Sequence, residues 1–125
     1  MAPSGRRPAE GRAVARRLAL RADVLIGSFR PGKPARLGLG CEALATESPG
    51  LVTVSINGFG PDGPYRDHPA YDTVIQGLSG FMEAQGGSGP PELVRCIIAD
   101  KTTALTASYA VLAEITALRA AGAVA

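Results

Sequence analysis

The sequence has one histidine and two cysteines, too few to build a metal or redox centre. Cys41 and Cys96 are far apart and show no CxxC spacing. With a single His they make no zinc set, so no metal is expected. Both are expected as small buried or half-buried residues in a reducing cytoplasm. His68 stands alone in a Pro-rich loop, and no nucleophilic Ser or Cys pairs with it. It is expected as a surface histidine and not as a base. No apolar run approaches the roughly 20 residues of a membrane span, so a soluble protein is expected. Neither GxGxxG nor a Walker pattern occurs, and no internal repeat is evident.

What is present suits one globular domain. The 125 residues are 46 % apolar and 19 % charged, and the net charge is only +2. The basic residues are unevenly placed. Arg6, Arg7, Arg12, Arg16, Arg17 and Arg21 crowd the start of the chain. A nucleic-acid patch and an Arg-rich transit peptide are alternatives to the solvated face of a helix. No aromatics interleave with these arginines for base stacking, and no apolar core for a secretory signal accompanies them. The solvated helix face is therefore preferred, and neither a nucleic-acid nor a membrane partner is expected.

Residues 1–8 read as a flexible tail and 9–125 as the folded part. Glu10 to Ala22 reads as a helix with Val14, Leu18 and Ala22 as its apolar stripe. "DVLIG" (23–27) suits a short buried parallel strand, "RPGKP" a turn, and "GCEALATES" a short helix. "LVTVSINGFG" begins as a β-branched strand. Pro and Gly forbid regular structure in "GPDGPYRDHP". Residues 70–84 have a helical apolar period, with Gly77 and Gly80 as weak points. "LVRCIIA" suits a strand or an extended lead-in, and the run from Asp100 is the longest helix, with Leu105, Tyr109 and Leu112 on one side. The order predicts an α/β fold: a partial Rossmann-like parallel sheet with flanking helices.

Three stretches could carry chemistry. "SFRPGKPARLGL" follows a strand, and ligands of open α/β sheets bind outside the carboxyl ends of the strands. Arg30, Lys33 and Arg36 could there meet an anion, or form only a basic surface turn. "SINGFGPDGPYRDHPAYD" runs long without regular structure, and its aromatics Phe59, Tyr65 and Tyr71 argue for order. Asp100 opens the last helix. An ordinary N-cap accounts for it, while the same N–H groups would keep its carboxylate ionised for nucleophilic work.

Together, "EGRAVARRLALRADVLIGSFRPG", "RLGLG", "LVTVSINGFGPDGPY", "YDTVIQGLSGFM" and "IADKTTALTASYAVLA" resemble the class III CoA-transferase (CaiB/BaiF) family, which includes formyl-CoA transferase and carnitine CoA-transferase. The resemblance runs from about Glu10 to about Leu112, and it rests on five blocks in family-like order. It implies that Asp100 carries the covalent acyl and CoA intermediates. It implies that Phe29 and Arg30 contact coenzyme A, that Arg36 meets its nucleotide part, and that Asn57 lies near the same site. It implies that Tyr71–Asp72 is the pair flanking the nucleophile. The related α-methylacyl-CoA racemases have a His where Tyr71 stands, which disfavours racemase chemistry. The implied reaction moves CoA from an acyl-CoA to a carboxylic acid through an aspartyl-CoA thioester, with no metal. Backbone N–H groups at the start of the helix after Asp100 are candidate oxyanion donors.

The resemblance also implies a fragment. The family's opening strand and turn, its second domain and its mobile glycine loop have no counterpart here, and its members are interlaced homodimers. Apolar faces are then expected to lie exposed. Two further readings compete with the enzyme: a non-enzymatic CoA- or nucleotide-binding remnant using residues 30–36, and an interaction piece that needs a partner chain.

Overall fold

A computed structural model describes residues 8–122. Helix α1 (Pro8–Ala19) leads into strand β1 (Val24–Gly27). Two short helices, α2 (Lys33–Arg36) and α3 (Cys41–Glu47), connect β1 to β2 (Val52–Ser55). After a long loop come α4 (Asp72–Leu78), α5 (Phe81–Gly86) and the long α6 (Ile98–Ala120). The strands pair in parallel, with Val24 opposite Val52 and Gly27 opposite Ser55. A parallel pair needs a crossover connection, and α2 and α3 supply it. The result is an α/β arrangement with a two-stranded parallel sheet, at the low end of the two or three strands expected.

The core is small. Ala19, Leu44 and Leu51 form its centre, with Leu20, Ala22, Leu25 and Leu39 packed around them. It joins the end of α1 to α3 and the sheet. Of the expected stripe only Ala22, past the helix end, packs on the core: Val14 and Leu18 are exposed, and the helix approaches through the short side chain of Ala19. A small residue lets the helix backbone come close. Arg16 then reaches across, donating to the Gly38 carbonyl at 2.7 Å and pairing with Glu47. One arginine of the expected solvated face is thus a tether. The helix also ends at Ala19, three residues before Ala22. Of the expected tail, residues 1–7 lie outside the described residues, and Pro8 belongs to α1.

Three other expectations change. The helix expected over 70–84 is two helices, because Gly80 adopts φ +83° between them, a left-handed conformation that ends α4 and starts α5. Gly77, the other suspected weak point, stays inside α4. "LVRCIIA" forms no strand, and α6 already begins at Ile98. Cys41 and Cys96 are both exposed, not buried. No helix among the described residues is long and apolar enough to cross a membrane.

Candidate functional site

The carboxyl ends of the two strands open onto one cleft of about 200 Å³. Ser28, Phe29, Arg30 and Pro31 follow β1, and Ile56, Asn57 and Gly58 follow β2. The far wall is Arg66, His68, Pro69, Ala70 and Tyr71. The position is the one general to ligands of parallel α/β sheets. Two arginines and one histidine line the cleft and no carboxylate does, so its field favours an anion.

Each wall has a local cause. Gly32, at φ +76°, turns the chain after β1, and Lys33 places its ammonium 5.1 Å from the Phe29 ring centroid. On the other side, the Asn57 side-chain Oδ1 accepts the Gly60 N–H at 2.6 Å, closing a turn at the end of β2. Phe59 and Tyr65 lie 5.7 Å apart, and Tyr65 meets His68 edge-on at 5.3 Å. This aromatic row orders a loop that Pro and Gly keep out of regular structure. Gly58 packs against Ala70 and brings the loop's two ends together.

Four of the expected residues therefore share the cleft: Phe29, Arg30, Asn57 and Tyr71. Arg36 does not line it and is exposed on α2. Asp72 and Asp100 do not line it either, but Asp72 joins the cleft wall to α6. Its Oδ1 accepts the Ala99 N–H at 2.7 Å and the Asp100 N–H at 3.2 Å. Its Oδ2 accepts from Gln76 Nε2 at 2.6 Å. Burial raises the Asp72 carboxyl's pKa, but the bonds from Gln76, Asp100 and Ala99 outweigh this and hold it below the ordinary carboxylate value.

These bonds correct two expectations about α6. Asp100 is not its N-cap: the helix is capped at Ile97 without a side-chain bond from there, and Asp100 lies inside the first turn. The capping carboxylate is Asp72, from another helix. Nor is the start of α6 free to serve an oxyanion. Ile98 N–H donates to Cys96, Ala99 and Asp100 to Asp72, and Lys101 to Ile97. Three of the four donors that a helix N-terminus leaves over, those of Ile98, Ala99 and Asp100, are therefore taken, and the Lys101 bond is the first of the helix ladder. The Asp100 side chain is exposed, and its carboxylate makes no hydrogen bond or ion pair among the described residues.

Three site residues were missed in the sequence. Arg66 and His68 line the cleft, and His68 is exposed, as a surface histidine was expected to be. Gln76 is fully buried, at 1 % exposure, with its amide satisfied at both ends. Among the described residues no cluster of side chains could hold a metal ion.

Residues 7–124, nearly the whole chain, match CoA-transferase family III. The chain belongs to this family. It is 40 % identical over 107 residues to a succinate–glutarate CoA-transferase of Agrobacterium fabrum, covering 85 % of this chain and 27 % of that protein. It is 46 % identical over 84 residues to an acetyl-CoA:oxalate CoA-transferase of Acetobacter aceti, covering 66 % and 22 %. The crystal structure of a CaiB/BaiF family protein from Brucella suis superposes with a TM-score of 0.83 at 35 % identity, covering 90 % of this chain and 30 % of that one. The chain thus spans under a third of each of these family III relatives. Its fold is part of the CaiB/BaiF fold, as the five sequence blocks implied, and CoA transfer is the general chemistry of the relatives' names.

Proposed function

We propose that this chain carries the CoA-binding cleft and the nucleophilic aspartate of a CoA-transferase acting between an acyl-CoA and a carboxylic acid. One observation carries the reading: Phe29, Arg30, Asn57 and Tyr71 line one basic cleft, and Asp72, next to Tyr71, is bonded to the backbone of Asp100. In this reading Phe29, Arg30 and Asn57 contact CoA. Arg36, away from the cleft on α2, reaches the nucleotide part. Tyr71 flanks the reacting carbonyl, and Asp72 holds Asp100 in place.

The Asp100 carboxylate attacks the thioester carbonyl, the C–S bond breaks, and a mixed anhydride and CoA thiolate form. The thiolate then attacks the Asp100 carbonyl of the anhydride and releases the donor acid as its carboxylate. The product is an aspartyl-CoA thioester. The acceptor carboxylate attacks that thioester, forming a second anhydride and freeing the thiolate again. Thiolate attack on the acceptor carbonyl gives the new acyl-CoA and regenerates Asp100. Every step exchanges one acyl bond for another, so neither ATP nor a metal enters the balance. The exposed, unpaired Asp100 carboxylate is free to begin this sequence. In this reading the oxyanion donors come from elsewhere than Ile98, Ala99 and Asp100, whose N–H groups are occupied. The homodimer that the resemblance implies for full-length relatives and the cytoplasmic location expected from the cysteines belong to the same proposal.

The test is mass spectrometry after incubation with acetyl-CoA and hydroxylamine. A hydroxamate on Asp100, absent from Asp100→Ala, is expected. CoA binding without any adduct would favour the non-catalytic binding remnant, and neither binding nor adduct would favour the interaction piece.

A further inference from the structure

Gln76 is the buried polar residue among the described residues, and the four hydrogen bonds of its side chain go to two places that meet at Asp100. Its Oε1 accepts the Val94 N–H at 2.9 Å. Its Nε2 donates to the Cys96 carbonyl at 3.1 Å, to the Val94 carbonyl at 3.3 Å and to Asp72 Oδ2 at 2.6 Å. The amide orientation is fixed by this set. Reversed, it would set an NH₂ against the Val94 N–H and an oxygen against a carboxylate. One branch thus clamps residues 94–96, the lead-in to α6. The other fixes one oxygen of Asp72, so that the second faces the Ala99 and Asp100 N–H groups.

We propose that Gln76 is a positioning residue of the aspartate site, setting the Asp100 backbone both through Asp72 and through the 94–96 lead-in. The inference rests on the reading of Asp100 as nucleophile. Clamping a chain segment alone needs only the bonds to Val94 and Cys96. The bond to Asp72 adds nothing to that clamp, and it determines how the Asp72 carboxylate is rotated. An apolar side chain of equal length would fill the space and leave the part-buried Val94 N–H without the acceptor it has in Gln76. Reaction rates are sensitive to this kind of placement, because the nucleophile has to meet the thioester carbonyl in line.

The experiment compares the 125-residue chain with Gln76→Met, which keeps length and burial. It adds Gln76→Glu, which keeps the acceptor for Val94 and replaces the donor facing Asp72 by a like charge. Helix content is read by circular dichroism, CoA affinity by titration, and the rate of hydroxamate formation on Asp100 with acetyl-CoA and hydroxylamine. Amide exchange at Ala99 and Asp100 is read by NMR. The expected result is unchanged CoA affinity, a hydroxamate rate lower by roughly ten- to hundredfold, and faster exchange at those two amides. An unchanged rate with unchanged exchange overturns the proposal, as does a rate loss no larger than the loss of CoA affinity. Should Gln76→Met not fold, Gln76→Glu carries the same comparison. If wild type forms no adduct, the nucleophile reading fails by itself. The Gln76–Asp72 linkage is then decided by exchange alone: faster exchange confined to Ala99 and Asp100 upholds it, and unchanged exchange overturns it.

Discussion

Gly58 lies against Ala70 so closely that a Cβ added at position 58 would sit 2.0 Å from the Ala70 Cβ. The contact pins the exit of β2 to the residue before Tyr71, and both ends line the cleft. Gly58→Ala is expected to force the two segments apart. Overpacking of this kind costs about 1–3 kcal/mol. Denaturant unfolding should show that loss, and CoA affinity should fall with it. Wild-type stability and affinity in the variant would mean that the contact does not set the cleft.

The Asp72 carboxylate gives the α4–α6 junction an acid-sensitive latch. Its pKa is held below the unfolded-state value, so the stability it contributes is fully present above that unfolded value. It is lost as pH falls through the depressed folded-state value. Asp72→Asn removes the dependence. Wild type is therefore expected to unfold at a higher Tm than Asp72→Asn at neutral pH, and the gap should close in acid. A gap independent of pH would show that the charge is not what holds α6.

Arg30 and Arg36 were alike as sequence candidates and differ in position. Arg30 lines the cleft, while Arg36 stands on α2 outside it. A hydrogen bond to a charged group contributes about 1.5–3 kcal/mol, so Arg30→Ala is expected to weaken CoA binding by roughly ten- to hundredfold. Arg36→Ala should cost less in the same titration. Equal losses would argue that the nucleotide reaches α2 as strongly as the cleft.

Leu105, Tyr109 and Leu112 follow one face of α6 and stay 60 %, 71 % and 62 % exposed. An apolar face of this kind favours association. The chain is expected to elute larger at higher concentration in size-exclusion chromatography, and Leu105→Glu with Leu112→Glu should abolish the shift. Identical elution of the two proteins at all concentrations would remove this face from association.

The parts of the fold legible in the sequence are those fixed within a few residues. Both strands announced themselves through β-branched or apolar runs with Gly stops, and the cleft followed from where those strands end. Phe29, Arg30 and Asn57 were found on that ground together with the family blocks. What escaped depends on partners far along the chain. Val14 and Leu18 have a helical period but no neighbour to bury them, so periodicity named the wrong face of α1. "LVRCIIA" has strand composition, yet its backbone groups are met by a side chain from α4, 18 and 20 residues away. Asp100 looked like a cap because Asp before a helix usually is one, while the carboxylate that caps comes from 28 residues upstream. Only the Asp72–Gln76 pair had a local sign, an i,i+4 spacing on one helix.

The two parallel strands pair only with each other among the described residues, so each keeps one open side four residues long. A sheet this narrow is not held by its own ladder. It is held from below, by Leu44 and Leu51 against the end of α1. The free rows of N–H and C=O groups make each edge a seam at which one more strand could be zipped on, in a register that β1 or β2 already dictates. Widening the sheet would lengthen the rim that carries the cleft. The open seam therefore fixes the direction in which the rim of the cleft can be extended.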